Sequence, residues 1–497
     1  MKRIAQSQLV VNGDASAGPK AESKTLQRAV VTYASRARTR TRTLTPLTRK
    51  SVISRHHPLR EHTEIALADR FVDRHCDELR FVAVWNAWMK YDGLRWQRER
   101  THLQFDYAKL ICRQAATEAA EPAAAGIATS RTTAAILTLA RADRRLAATS
   151  DQWDRDSWLL NAPDETIDLR TGLAQAPQPD DYITRMTAVR PDPEWPIITW
   201  LAFLQRTFGG DLELIEYAQR VLGYALTGST SEQAMFFGYG TGANGKSVLI
   251  DTVAGILGDY HRTAPIETFT VSASERHPTE LAALRGARLV TAIETEEGRR
   301  WAESRIKALT GGDTIAARFM RQDFFEFKPQ FKLVIAGNHK PGLRSVDEAI
   351  RRRFNLIPFG TTIPPEERDP DLTEKLRLEW PGILAWMIDG CLQWQERGLD
   401  PPKAVTDATT AYLDAEDAMG AWLQECCAVN AHHSDTSAAL YASWKTWAER
   451  AGEKPGSQKR FAQTLEARGF APRRTKSERR YEGLMLLGGT QSLRWCG

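Results

Sequence analysis

Long apolar runs are missing from this chain of 497 residues. No stretch approaches the roughly 18–20 uninterrupted apolar residues that a membrane span requires, so no membrane partner is expected. Cysteine is sparse: Cys76, Cys112, Cys391, Cys426, Cys427 and Cys496 contain no C-x-x-C pair. That pattern argues against a zinc ribbon or a disulfide framework and fits a reducing cytosol. The start, MKRIAQSQLVVNGDASAGPK, is basic with no apolar segment behind it, so no secretion signal is read. Acidic residues are scarce over positions 1–60, two against thirteen Lys and Arg, although the whole chain carries only +5. Residues 61–497 therefore carry −6. The basic stretch, with Arg36-Ala-Arg38-Thr-Arg40-Thr-Arg42 at its centre, has too few apolar residues to offset its ordering entropy and reads as a disordered tail. It is either a non-specific arm for nucleic-acid phosphates or a plain solvated tail.

What remains is globular in composition. Hydrophobic residues reach 42% and Trp numbers 15, enough for more than one core. The aromatic run Leu79 to Trp96, with Asp92-Gly93 as its turn, predicts a short hairpin. The Ala-rich residues 105–150 favour helices, and residues 168–172 and 180–184 suggest small β elements. Apolar residues at Trp200, Leu204 and Phe208, then at Ile215, Ala218, Val221 and Leu222, repeat at helical spacing. Residues 231–360 alternate strand and helix patterns, which argues for an α/β sheet.

The strongest motif is Gly240-Thr241-Gly242-Ala243-Asn244-Gly245-Lys246-Ser247, which fits G-x-x-x-x-G-K-[ST]. The apolar run Ala234 to Phe237 precedes it, and Leu249, Val253, Ile256 and Leu257 follow at helical spacing. Glycines let such a loop turn its N–H groups onto phosphate oxygens, and the helix N-terminus adds partial positive charge. Lys246 would reach the β/γ-phosphates of ATP, and Ser247 would offer its hydroxyl to Mg²⁺.

Phosphoryl transfer also needs carboxylates for the metal and the attacking water. The apolar run Leu289 to Ile293 leads into Glu294, Glu296 and Glu297. Glu294 and Glu296 are the leading pair, Glu294 as a metal ligand, with Glu297 in reserve; the plain alternative is a solvated acidic turn. A second apolar run, Phe331 to Gly337, ends at Asn338, a candidate for orienting water or contacting the γ-phosphate. Then come Arg351, Arg352 and Arg353. Arg352 or Arg353 could reach a neighbouring subunit's γ-phosphate; the alternative is a surface salt-bridge cluster.

Together these motifs resemble the superfamily 3 helicases, in the branch of phage and plasmid primase–helicase proteins and the replication proteins of large DNA viruses. The 99 residues from Gly240 to Asn338 match that family's compact spacing. Ile306 to Met320 resembles its extra motif, Lys332 to Asn338 its sensor, and Arg352-Arg353-Phe354 its arginine pair. Trp88 to Trp96, Asp168 to Gly172 and Gly223 to Gly228 resemble its upstream domain, and Leu440 to Gly469 its terminal winged helix.

The resemblance implies an α/β fold: an AAA+-like P-loop NTPase core with an α+β N-terminal accessory domain and a C-terminal winged helix. The expected division is a basic tail at 1–60, the accessory domain at 61–205, the ATPase at 206–380, a helical connector at 381–434 and the winged helix at 435–497. The family's primase domain has no counterpart in the 60 residues before the folded region.

The resemblance also implies a homo-oligomeric ring, expected as a hexamer, that moves on single-stranded and forked DNA in a bacterial host cytoplasm. A separate primase or origin-binding protein would be a further partner. Between the extra motif and the sensor lies a family hairpin, here carrying Arg318, Phe319 and Arg321, with Lys307 on the preceding segment. Arg318 and Arg321 would track phosphates and Phe319 would stack on a base; the alternative places Phe324, Phe325 and Phe327 in a core with surface arginines.

The C-terminus has its own signal. From Lys454 to Glu482 there are nine Lys and Arg against three Asp and Glu. Lys459 and Arg460 would lie on a recognition helix, and Arg473 and Arg474 on a basic wing. Two rival functions use the same motifs: an origin-binding initiator with ATP as an assembly switch, and a non-unwinding P-loop motor such as a packaging ATPase.

Overall fold

The computed structural model describes residues 61–271, 278–294, 298–344, 346–475 and 478–487. The basic tail at 1–60 lies outside them. Among the described residues no helix is long and apolar enough to cross a membrane.

The first unit begins with α1 (Glu64–His75), capped by Thr63, whose side chain accepts from Ala66 N. The strands β1 (Leu79–Val82), β2 (Ala87–Tyr91) and β3 (Trp96–Arg98) form an antiparallel meander. Asp92 makes the expected turn: its Oδ1 accepts from Leu94 N and Arg95 N, and Gly93 follows at φ +100°. Helices α2 (Leu103–Glu118), α3 (Ala123–Ile127) and α4 (Ser130–Ala140) follow, and β4 (Ala147–Ala148) joins β1 in parallel. A second small sheet is β5 (Leu159–Ala162), β6 (Glu165–Asp168) and β7 (Leu173–Gln175). The strand expected at 180–184 is instead one 3₁₀ turn, Pro179–Asp181, with Tyr182 left-handed at φ 51°. Leu160 and Ile167 of the small sheet, and Leu169 just after β6, are buried with the next unit's helices, so these residues belong to its core.

The central unit opens with α5 (Ile198–Thr207) and α6 (Leu212–Leu226). Its parallel sheet contains β8 (Met235–Tyr239), β9 (His261–Thr263), β10 (Leu289–Glu294), β13 (Lys332–Gly337) and β14 (Phe354–Pro358). The spatial order is β14-β8-β13-β10-β9. Every neighbouring pair is parallel, so all five carboxyl ends share one edge. The strands are near-continuous apolar runs because both faces are covered. Phe236 faces a core with α6, α7 (Lys246–Leu257) and α12 (Trp380–Arg397). Met235 and Phe237 face the opposite core with Trp301, Leu333, Phe354 and Tyr412. At the opposite edge, buried Lys332 donates to Ser229 O at 3.2 Å and Arg288 to Leu226 O at 2.7 Å. These cations close that edge with backbone carbonyls.

Three short helices complete the central unit: α8 (Thr279–Ala282), α9 (Glu303–Gly311) and α10 (Glu348–Arg351). Between α9 and β13 stands a separate hairpin, β11 (Ile315–Ala317) and β12 (Phe325–Phe327). After β14 comes α11 (Leu372–Leu378). The stretch 381–434, expected as a connector, is not one element. Helix α12 is a core helix, α13 (Lys403–Ala415) packs behind β14, and α14 (Ala418–Cys426) belongs to the last unit. That unit therefore starts near Ala418, not at 435, because Met419, Trp422 and Cys427 share a core with Leu440, Trp444 and Phe461. It comprises α14, β15 (Cys427–Thr436), α15 (Ser437–Arg450), α16 (Gln458–Ala467), β16 (Pro472–Arg474) and β17 (Arg479–Leu486). Its antiparallel sheet has the order β15-β17-β16.

Helices α6 and α12 approach through glycine. A Cβ on Gly223 would sit 2.1 Å from Cys391 N, and one on Gly390 would sit 2.1 Å from Gln219 O. Both obstacles are backbone, so no side chain can yield. Gly223→Ala or Gly390→Ala should destabilise the chain by about 3 kcal/mol, at the upper end for overpacking. Chemical denaturation against wild type checks this, with Gly126→Ala, at an open helical position, expected to cost far less.

Candidate functional site

The Gly240–Ser247 loop connects β8 to α7 at the carboxyl edge of the sheet. Gly242, Ala243 and Gly245 have φ values of 105°, 50° and 85°. This left-handed run is why glycine recurs here. Gly240 is required for a second reason: a Cβ there would meet Asn244 Nδ2 at 2.1 Å and Phe359 O at 2.4 Å.

Lys246 is only 8% exposed. Its Nζ donates to Gly240 O at 2.7 Å, Asn244 Oδ1 at 2.9 Å and Asn338 Oδ1 at 3.1 Å. All three acceptors are neutral. Burial lowers the lysine's pKa from its ordinary value. Among the described side chains the loop therefore holds a desolvated cation with no carboxylate bonded to it, a condition that favours an anion. Asn244 is fixed in turn, since its Nδ2 donates to Phe359 O at 3.1 Å. Ser247 lies on the exposed first turn of α7, where its hydroxyl is free to meet a ligand.

Asn338 comes directly after β13, which pairs with β8. The sheet thus brings together Lys246 and Asn338, 92 positions apart. β10 is not the neighbour of β8; β13 lies between them. Glu294 ends β10 at the same edge as Asn338, and Glu294 pairs with Gly337 in register. The Glu294 side chain, and Glu296 and Glu297, lie outside the described residues.

The arginines separate. Arg353 is 5% exposed. Its guanidinium donates to Thr310 Oγ1 at 3.1 Å, Ala349 O at 2.7 Å and Gln233 Oε1 at 3.1 Å. Its guanidinium is thus engaged within its own chain. Arg352 is exposed, and Arg351 pairs with Asp414 at 3.2 Å.

Of the residues expected to meet DNA, Lys307 is engaged by Asp347 at 2.6 Å. Arg318, Phe319 and Arg321 form the exposed tip of the β11–β12 hairpin. Phe324 is 60% exposed and Met320 70%, whereas Phe327 is buried. Phe325 is half-buried and stacks on Phe319 at 5.8 Å. The rings thus divide between the hairpin's base and its tip. The Arg318 guanidinium lies 4.7 Å over the Phe324 ring. Lys459, Arg460, Arg473 and Arg474 are all exposed on the last unit. Lys459 and Arg460 fall in the first turn of α16, and Arg473 and Arg474 on β16.

Sequence reading missed Asn244 as more than a loop residue, and it missed Gln233 and Thr310 as the partners that bury Arg353. Single polar residues carry no periodic signal, so only the fold could pair them.

Two family descriptions match the chain: "D5 N terminal like" over residues 68–209, and a family of unknown function, DUF5906, over residues 238–353. A helicase-named protein of Acanthamoeba polyphaga mimivirus is 28% identical over 281 residues, covering 52% of this chain and 29% of that protein. A helicase-named protein of Frog virus 3 is 29% identical over 275 residues, covering 51% of this chain and 28% of its own length. The chain thus spans under a third of these relatives. The apo structure of the NrS-1 C-terminal region (305–718) aligns with 85% of this chain and 99% of its own, at 12% identity and a TM-score of 0.49.

The two arginines should separate in stability. Arg353→Ala should cost about 3 kcal/mol, since a buried charged donor set is lost and Thr310, Gln233 and Ala349 O are left unpaired. Arg352→Ala should stay within about 0.5 kcal/mol of wild type, as exposed substitutions do. Denaturant titration of the two variants measures the difference.

Proposed function

The chain belongs to the phage and viral superfamily 3 primase–helicase family, and from that premise we propose that it is an ATP-driven replicative DNA helicase acting as a ring, expected as a hexamer. The observation that carries the proposal is the convergence of Gly240 O, Asn244 and Asn338 on the buried Lys246 ammonium. A triphosphate offers that ammonium anionic oxygens in place of neutral ones, while the loop N–H groups and the α7 N-terminus receive the remaining charge. Released from Lys246, Asn338 is free to meet the γ-phosphate or the attacking water.

In this reading the sheet is the AAA+-like P-loop core. Its order puts β13 between the loop strand and the acidic strand, so that Asn338 stands beside the loop and Glu294 beyond it. Ser247 and Glu294 would hold Mg²⁺, and Glu294 or Glu296 would also orient water. The ion supplies charge neutralisation on the β- and γ-phosphates when bound.

Arg352 is the residue we assign to a neighbouring subunit's nucleotide. It is exposed, and it immediately precedes the structurally committed Arg353 and β14. A finger supplied in trans couples hydrolysis in one subunit to movement of the next.

The hairpin tip is the proposed contact with single-stranded DNA: Arg318 and Arg321 for phosphates, and Phe319 for base stacking. Lys307, held by Asp347, would contribute only if that pair opened. Residues 61–205 would be the accessory domain, with its small sheet and the start of α5 packed into the core of the central unit. The last unit has the order helix, strand, two helices and two strands, which fits a winged helix. Lys459 and Arg460 on its second long helix, and Arg473 and Arg474 at the wing, would bind forked or duplex phosphates. A separate primase or origin-binding protein would act beside it.

Lys246→Ala should abolish ATP hydrolysis and fork unwinding while leaving assembly intact; phosphate release above background in that variant would refute the site. Arg352→Ala should also be inactive alone, yet mixed rings with Lys246→Ala subunits should regain part of the turnover, because each variant retains the half-site the other lacks. Unwinding of forked DNA by wild type separates this reading from an initiator or a packaging motor, neither of which opens a fork processively. At the hairpin, Phe319→Ala with Arg321→Ala should weaken single-strand binding by about tenfold and flatten its salt dependence. Fluorescence anisotropy at two salt concentrations would measure both effects.

A further inference from the structure

The end of α13 and the start of α14 meet three functional segments at once. Tyr412 OH donates to Pro341 O, beside Asn338, and accepts from Trp301 Nε1 at 3.0 Å. Glu416 Oε2 accepts from Leu343 N at 2.7 Å. Asp414 Oδ1 accepts from both terminal nitrogens of Arg351 at 3.2 Å. Of the three carboxylates, Asp417 lies deepest, 9% exposed. Its Oδ1 caps α14 by accepting from Gly420 N at 3.0 Å. The same oxygen takes a short ion pair from Arg468, while Oδ2 faces Arg351 at 3.7 Å.

Arg468 and Arg351 come from different units. Arg468 ends α16, the helix that carries Lys459 and Arg460. Arg351 ends α10 and adjoins Arg352. One buried carboxylate is thus shared by a guanidinium from the basic C-terminal unit and one from the arginine segment. Such a carboxylate cannot serve both equally: weakening one pair strengthens the other, because the charge has little solvent to lean on. Nucleic-acid phosphates recruited to α16 would compete for Arg468.

We propose that Asp417 is the positioning residue through which nucleic acid bound by the C-terminal unit sets the arginine segment 351–353 of the same subunit. The inference rests on the helicase reading and adds its regulation. With Arg468 drawn toward phosphate, Asp417 holds Arg351 more closely, and the orientation of the adjoining Arg352 toward the next subunit changes with it. Pro341 and Leu343, pinned by Tyr412 and Glu416, keep the sensor loop attached to the same hinge. What makes this coupling physical is one carboxylate with two competing partners, the kind of two-state element such a claim requires.

The test uses the full-length chain and Asp417→Asn. Asn caps helices as well as Asp, so this variant keeps the α14 cap and loses only the shared charge. Hydrogen exchange of residues 347–353 is followed with and without forked DNA, beside DNA-stimulated ATP hydrolysis. In wild type, DNA should change exchange in 347–353 and stimulate turnover about fivefold or more. In Asp417→Asn, DNA should still bind, basal turnover should persist, and both responses should vanish. Arg468→Gln should shift exchange in 347–353 without DNA, in the direction that DNA produces in wild type. Unchanged exchange in wild type that binds DNA, a retained response in Asp417→Asn, or an opposite shift in Arg468→Gln would each overturn the proposal. The exchange readout needs no turnover. A chain that binds DNA and shows the shift without hydrolysing ATP would sink the motor reading alone; a wild type that unwinds DNA with no shift would sink this inference alone.

Discussion

The site is organised around one desolvated ammonium. Lys246 is buried, its pKa is lowered, and its three donors end on neutral oxygens from its own loop and from the end of a neighbouring strand. Those bonds satisfy geometry without neutralising charge. Every feature around the loop serves that placement. Gly240 makes room for the Asn244 amide, Asn244 is locked by Phe359 O, and β13 delivers Asn338 to the right edge. Lys246 borders a small apolar cavity that Phe208, Leu222, Phe236 and Ile357 also line.

The parallel sheet turns that local arrangement into a shared edge. Because neighbouring strands all run the same way, loops distant in sequence emerge side by side. β8 supplies the loop, β13 the asparagine and β10 the first glutamate, and β14 starts just after the arginines. β14 also places Phe359 against the loop through the strand it pairs with. The segment that carries Arg352 and the loop that carries Lys246 are therefore joined by a single strand of five residues.

The arginine triplet illustrates how fold assigns roles within a motif. Three adjacent guanidiniums were equivalent by composition. In the structure each has a different environment: Arg351 is paired with carboxylates, Arg352 is exposed, and Arg353 is buried against a hydroxyl, a carbonyl and an amide. The hairpin aromatics divide in the same way, with Phe327 buried at the base and Phe324 exposed at the tip.

Patterns that repeat along the chain were legible without coordinates. The glycine spacing of 240–247 dictates a tight loop between strand and helix, the apolar runs 289–293 and 331–337 dictate buried strands, and Asp92-Gly93 dictates a turn. Each is a local preference summed over neighbouring residues. The start of the last unit was not legible because β15 carries little apolar pattern, with His432, His433 and Ser434 giving no clean alternation. Its identity comes from pairing with the distant β17, in two blocks on either side of a register shift between Val429 and Ser434. Likewise, no spacing rule could say that Gly223 and Gly390 abut, that Arg353 would be buried and Arg352 left exposed, or that Asp417 would hold both Arg468 and Arg351. Those are contacts between residues far apart in the chain, where the deciding quantity is desolvation, and desolvation exists only once the layers have packed.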